Sequence, residues 1–432
     1  MDETPPTGGS ARFDRREPNV AGTGPGTSEG VPSVLEPAST ASSPRRIRQG
    51  NEIAALRALH EFRHLSRADL ARELRLNRSS SGHIVAGLLA GGLVREVEDA
   101  GEGQPGRRRA GRPGILLELA PEAVVFLGIE IGVEHVSVVE LDLAARIVRS
   151  AQEPFDGPGT PVEVAVGRAL ALAFDRMPAE RLRRCEGLGL ASPSQMDRRG
   201  VVRLAPLLGW REVDLAELVR AALPMPLPVM VENDANALAI GATYGRRAAR
   251  TGVTLVLNME TGVGGGILVD GRLFRGANGL AGEIGHLRLG LGGADAAATI
   301  EQRIGLERIL ADYGERARLP HPRLADLLRD VRDREPGAVV VAEDWARTLA
   351  HALVQAGRII DADNVVLGGS VAALYPLVAA RVHAHLRVLQ EASFPIPAIS
   401  VHEDADFGAA FGSACMLHQR FLSLESTRFT DG

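Results

Sequence analysis

A strand–glycine–strand pattern occurs twice in this chain, and it restricts the possible folds more than any other feature. The first copy reads GIEIGVEHVSVVELD at 128–142 and the second TLVLNMETGVGGGILVDGRLF at 254–274. In each, an apolar run meets a glycine turn and continues as a second, alternating run, the pattern of two paired strands. Each copy then opens a series of alternating strands and helices. A duplicated α/β unit implies two lobes with a cleft between them. Between the copies lies LPVMVENDANALAIGATYG, which reads as a strand to Val231, the polar residues Glu232, Asn233 and Asp234, then a helix. A carboxylate at a strand end facing a cleft can contact a ligand or act as a base. Asn and Asp are also ordinary helix caps.

A different pattern precedes this body. Residues 1–44 are rich in Pro, Gly, Ser and Thr, lack periodicity and are expected to be disordered. From Gln49, Ile53, Leu56, Leu59 and Phe62 recur on one helical face. Ser66 with Asp69 three residues later resembles a capping box and opens a second helix. Asn77 caps a third, whose apolar face is Ile84, Val85, Leu88 and Leu89 and which ends at Gly91-Gly92. LVREVE and GILLELA then read as strands around the loop DAGEGQPGRRRAGRP. Three helices and a two-stranded wing predict a winged helix-turn-helix. Its third helix would present Arg78, Ser79, Ser80, Ser81 and His83 to base edges in a major groove. The wing tip, with Arg107, Arg108, Arg109 and Arg112, would enter a minor groove.

Charge supports that division. The chain has a formal charge of −5, yet residues 45–113 hold 14 Arg against 8 acids. A basic segment between an acidic tail and an acidic body fits a polyanion-binding module attached to something else. All 49 basic residues are Arg, which removes Schiff-base and P-loop lysines from consideration. Aromatic residues make up 4%, too few for a surface that stacks single-stranded bases. Cys185 and Cys415 carry no metal-ligand spacing. No leader or long apolar segment is visible, so the expectation is a soluble cytoplasmic protein without a membrane partner.

The glycine turns themselves are a common way of holding phosphate on backbone N–H groups. The first, however, carries Glu130 and Glu134 and has no Lys, Arg or hydroxyl beside its glycine.

Residues 50–420 resemble the ROK family, whose members include repressors and sugar kinases on an actin-like (ribonuclease H-like), two-lobed ATPase fold. LSRADLARELRLNRSSSGHIVAGLLAGGLVRE with GRPGILLELAPEA is similar to the DNA-binding head of its repressor branch. VENDANALAIGATYG, TGVGGGILVDGRLFRGANGLAGEIGHLRLG and VVLGGSVA are similar to its core. The chain thus divides into a tail (1–46), a winged helix-turn-helix head (47–120) and an α/β sugar-kinase-like body (121–424) with its cleft near 232–301. The resemblance implies that Asn233, Asp234, Glu283, His286 and Glu301 bind a sugar, with Asp234 at the position of the kinase base. It also implies phosphate-loop positions at Thr261, Gly262, Gly264 and Gly265.

Departures from the family pattern redirect the expectation. Kinases keep Asp-x-Gly-Gly-Thr-Lys at the first phosphate turn, where this chain has Glu130-Ile131-Gly132-Val133-Glu134-His135. Glu134 beside ATP phosphates would set like charges together in a poorly screened cleft, and phosphoryl transfer depends on charge neutralisation. Catalysis and a cofactor are therefore not expected. The Cys-rich loop that holds zinc with the GH histidine is replaced by HLRLGLGGADAAATIE, so no structural zinc is expected. Leu207 stands where the family often has Asn. The expected protein is a homodimeric repressor of sugar uptake or catabolism genes, with a double-stranded operator and a sugar or sugar-derivative effector. The alternatives are a sugar kinase carrying a DNA-binding head, and a DNA-binding protein with a vestigial pocket.

Overall fold

The computed structural model of the protein describes residues 44–98, 115–197, 199–244, 251–290, 297–390, 394–402 and 407–423. Residues 1–43, the loop bearing Arg107, Arg108, Arg109 and Arg112, and position 424 lie outside them. Helix α1 spans Pro44–Phe62 and so begins before the apolar periodicity does. Proline's fixed φ suits a first helical turn, which needs no core-facing residue. The last residues assigned to the tail are therefore helical.

Strand β1 (Leu65–Ser66) leads into α2 (Arg67–Glu73). The Ser66 hydroxyl accepts the Asp69 N–H at 3.1 Å and donates to the Asp69 carboxylate at 2.6 Å. Asn77 caps α3 (Arg78–Ala90) by accepting the Ser80 N–H at 2.8 Å. Strands β2 (Val94–Glu98) and β3 (Ile115–Leu119) complete a sheet of order β1-β3-β2. Leu56 and Leu59 of α1 are buried with Leu70, Ile84, Val85 and Leu88, as the helical spacing predicts.

The first lobe contains β4 (Val125–Ile131), β5 (His135–Asp142), β6 (Ile147–Pro154), α4 (Val162–Phe174), α5 (Ala179–Leu182) and β7 (Cys185–Ser192). A small antiparallel sheet follows, of β8 (Gln195–Met196), β9 (Val201–Ala205) and β10 (Trp210–Asp214), then α6 (Leu215–Ala222) and β11 (Val229–Asn233). Helix α7 (Asp234–Thr243) leads to the second lobe, which begins with β12 (Val253–Met259), β13 (Val263–Val269) and β14 (Arg272–Leu273). It continues through α8 (Glu301–Ile304), α9 (Leu306–Ala317), α10 (Leu324–Arg332) and α11 (Pro336–Ile360). Strand β15 (Asn364–Gly368), α12 (Tyr375–Leu389), β16 (Ala398–Val401) and α13 (Gly408–Phe421) end the chain's described part.

The two large sheets have the orders β11-β7-β4-β5-β6 and β14-β13-β12-β15-β16. In both, the opening strand is central, two antiparallel strands follow on one side, and two parallel strands lie on the other. The repeated hairpin thus marks a repeated topology. β4 and β5 are buried almost throughout, as Val- and Ile-rich strands covered on both faces must be.

Close backbone contacts fix the junction. A Cβ on Gly412 of α13 would lie 1.7 Å from the Ala237 carbonyl oxygen of α7, so these helices touch backbone to backbone. The head is not a separate bead. Its core residues Leu56, Leu59 and Leu117 belong to one apolar cluster with Phe126, Leu141, Ala414 and Phe421 of the first lobe.

Candidate functional site

Strand ends from both lobes surround a cleft of about 190 Å³. Asn233 ends β11 and caps α7, accepting the Asn236 N–H at 3.0 Å. Its Nδ2 donates to the Ser194 carbonyl and to Asp234 Oδ1, both at 3.0 Å. Asn258 Nδ2, from β12, donates to Asp234 Oδ2 at 3.0 Å. Asp234 is therefore held from both lobes at the start of α7. Burial, then the nearby Glu130 carboxylate, push its acid up to about 7. At neutral pH it can accept a hydrogen bond as a carboxylate or donate one as the acid.

Glu283 and His286 stand on the short turn of helix at Ile284–His286, with His286 Nε2 3.4 Å from Glu283 Oε2. Burial raises the Glu283 pKa, and Glu301 adds to the rise while His286 opposes it. Glu301 Oε2 accepts the Val263 N–H at 2.9 Å, so part of its hydrogen-bonding capacity is committed to the second glycine turn. Leu207 also lines the cleft, and its Cδ1 lies 3.1 Å from where a Cβ on Gly262 would stand. An apolar side chain from one lobe meets the glycine turn of the other. All five expected sugar-binding residues line this one cavity.

The other half of the cleft is acidic. Glu130 is 8% exposed on β4 and accepts the Ser137 hydroxyl at 3.2 Å across the β4–β5 pair. His135 Nε2 lies 3.6 Å from it, and Glu134 is exposed. Glu260 stands between an apolar strand and a glycine run and carries no local sequence signal of its own. Its carboxylate accepts the Ser370 N–H and hydroxyl, each at 2.6 Å. The pairing of β12 with β15 brings Ser370 alongside, and that pairing is not visible in a local motif. Ser194, Gln195 and Asn258 are further lining or supporting groups that only the fold brings here.

The second glycine run has a packing explanation. Of the four expected phosphate-loop positions only Thr261 and Gly262 lie in the turn, after Glu260; Gly264 and Gly265 lie in β13, opposite Asn258 and Leu257. A Cβ on Gly264 would come within 2.7 Å of the Ala235 Cβ, and one on Gly266 within 2.5 Å of the Ala239 Cβ. Helix α7 can lie this close to β13 only over glycine. The run is needed for the fold whatever the cleft binds.

Among the described residues no group of three or more His, Cys, Asp or Glu could hold a metal ion. Cys185 and Cys415 are buried in different apolar clusters, and no cysteine follows His286 before Glu301. This donor set does not fit the zinc implied by the family resemblance. The segment is closed instead by an Arg288–Thr299 bridge, an Ile300 N–H to Leu287 carbonyl bond of 2.9 Å, and burial of Ile300 and Ile304.

In the head, Arg78, Ser79 and His83 are exposed at the start of α3, and Ser80 is half-buried. His83 Nδ1 lies 2.8 Å from the Ser79 carbonyl oxygen. Ser81 corrects the expected set: it is 3% exposed and shares the inward face of Ile84, Val85 and Leu88. A helix turns 100° per residue, so four consecutive residues cannot all face outward.

The sequence profile of the ROK family matches residues 126–420. A xylose repressor of Caldicellulosiruptor bescii is 26% identical over 247 residues, covering 56% of this chain and 59% of the relative. The DNA-binding transcriptional dual regulator NagC of Escherichia coli is 22% identical over 87% of this chain and 94% of its own. A glucokinase of Streptomyces coelicolor is 28% identical over 57% of this chain and 81% of its own. Among solved structures, a ROK-family transcriptional regulator homologous to the E. coli MLC protein superposes with a TM-score of 0.69 at 18% identity. It covers 89% of this chain and 100% of that one. The Streptomyces griseus ROK glucokinase in complex with glucose and AMPPNP gives 0.61 at 23% identity, covering 68% and 99%. These likenesses establish the α/β actin-like sugar-kinase fold of the body. The chain spans about three fifths of the length of the xylose repressor that it matches.

Proposed function

The chain belongs to the ROK family, and from that premise we propose that it is a sugar-responsive transcriptional regulator. In this reading residues 47–120 are a winged helix-turn-helix that binds an operator, and the body is a homodimeric sensor. A sugar seated on Asn233, Asp234, Glu283 and His286 shifts the posture of the heads. The observation that carries the reading is the lining of the cleft: Asn233, Asp234, Glu283 and His286 lie together, and beside them the first glycine turn brings Glu130 and Glu134, with Glu260 across from it. Repressor and regulator relatives support it. The four exposed or half-exposed groups Arg78, Ser79, Ser80 and His83 form the base-reading face, with the wing arginines in the adjacent minor groove.

Fluorescence anisotropy of the gene's own upstream DNA, with a panel of sugars, tests this. Tight binding that one sugar alters is the expected outcome. Arg78→Ala is expected to weaken operator binding by roughly 1–3 kcal/mol, with less effect on unrelated DNA. DNA binding that no sugar alters would rule out the sensor reading.

A sugar kinase is the second reading, favoured by the glucokinase relative and by an Asp234 acid poised near neutral pH. It requires Mg²⁺-dependent ATP turnover that Asp234→Asn abolishes. Sugar binding without turnover decides against it.

A further inference from the structure

Six carboxylates line the cleft, those of Glu130, Glu134, Asp234, Glu260, Glu283 and Glu301, against two imidazoles, His135 and His286. Among the described residues none that lines the cleft is an arginine, in a chain where 49 of 432 residues are basic. Arg275, on the loop after β14, is turned to Glu232, with its Nη2 2.6 Å from Glu232 Oε2.

Four backbone donors of the two turns and the strand end beside them are already used. Gly132 N–H donates to the His135 carbonyl at 2.9 Å, and Glu260 N–H to the Gly262 carbonyl at 2.8 Å. Val263 N–H goes to Glu301 at 2.9 Å, and Ser370 N–H to Glu260 at 2.6 Å. At two of these four places the acceptor is one of the protein's own carboxylates. An anionic ligand would meet no arginine among the described lining residues, and would meet repulsion that a half-enclosed cleft screens poorly. An ammonium group meets the reverse, a lining in which carboxylates of opposite charge can accept its N–H bonds.

We propose that the effector is an unphosphorylated sugar carrying a basic nitrogen, an amino sugar, and that phosphorylated sugars are excluded from this cleft. The proposal rests on the sugar-sensor reading and narrows it. The neutral hydroxyls engage Asn233 and the mixed acid–imidazole pair Glu283–His286, while the ammonium replaces cationic charge that the phosphate half lacks. Burial raises the acids of Asp234, Glu260 and Glu283, and the Glu130 carboxylate adds to the rise at Asp234 and Glu260.

The test is calorimetric titration of the full chain with matched sets of glucose, galactose and mannose. Each sugar is offered as the parent, the 2-amino-2-deoxy sugar, its N-acetyl derivative and the 6-phosphate, at a pH below that of the amine's own titration. In at least one set the amino sugar is expected to bind about tenfold tighter than its parent, a difference of about 1.4 kcal/mol. N-acetylation should remove that gain, high salt should narrow it, and the 6-phosphates should give no saturable heat. Parents that bind as tightly as their amines overturn the proposal and leave the sugar-sensor reading standing. So does a 6-phosphate that binds better than its parent. If no member of any set binds, the sugar-sensor reading itself falls and the proposal falls with it.

Discussion

Asp234 shows how one residue can serve a site at the expense of the fold. Its acid sits near 7 in the folded chain against roughly 3.9 when unfolded. A raised carboxyl pKa favours folding only while the group keeps its proton. That contribution is complete below about pH 4 and is lost as pH rises through 7. Asp234→Asn is therefore expected to raise stability by roughly 1–3 kcal/mol above pH 7, and to leave it unchanged below pH 4. Thermal melts of both proteins across that window check the sign. The same variant should lose sugar affinity, since an amide cannot replace both states of the acid. A variant that is less stable at high pH would show that the carboxylate is held by stronger partners than Asn233 and Asn258.

At the scale of elements, α7 joins the cleft to the head. Its N-terminus is the Asn233 cap, and its ten residues span about 15 Å. Tyr244, just past its end, hydrogen-bonds His418 Nδ1 of α13, and His418 Nε2 meets the Leu143 carbonyl oxygen at 2.8 Å. A carbonyl can only accept, so Nε2 carries the proton and Nδ1 accepts from the tyrosine. Burial holds this imidazole down at about 3, and it is neutral at physiological pH. His60 of α1 packs on both rings, 5.5 Å from Tyr244 and 4.8 Å from His418 between centroids. Arg57 of α1 also donates to the Leu422 carbonyl at 2.6 Å. A displacement of α7 is thus felt directly by the head. Tyr244→Phe should leave sugar affinity within about twofold, cost roughly 1–3 kcal/mol of stability through the unpaired buried nitrogen, and weaken the sugar's effect on DNA binding. Calorimetry and anisotropy on the one variant separate these effects. An unchanged sugar response would exclude this route.

For the whole molecule, the decisive property is the uneven distribution of charge. A basic head on an acidic body should bind DNA through its arginines and hold the body off the duplex. Operator affinity is then expected to fall steeply with salt, the slope decreasing by about one for each phosphate-contacting arginine replaced. Anisotropy over a salt series measures the slope for Arg107→Ala and Arg112→Ala. Affinity for an uncharged parent sugar, set by hydroxyl contacts in the cleft, should change little over the same range.

Much of this was legible before any coordinates. The caps at Ser66 and Asn77, the buried faces of α1 and α3 and the two hairpins follow from local spacing, because a helix or hairpin is specified by neighbours in the chain. The sugar-binding candidates were legible through family resemblance, and the structure brings Asn233, Asp234, Glu283, His286 and Glu301 to one cavity. Other properties arise only where distant segments meet. The glycines of β13 answer to α7, and Glu260 reaches Ser370 because β12 pairs with β15. The head shares its core with α13 across more than 300 residues of sequence. The elements, the duplicated hairpin and the charge of each part follow from periodicity and composition, which any stretch of the chain carries locally. Which carboxylates share one cleft, and which amides they occupy, depends on packing, because burial and like-charge proximity arise between segments that are distant in sequence.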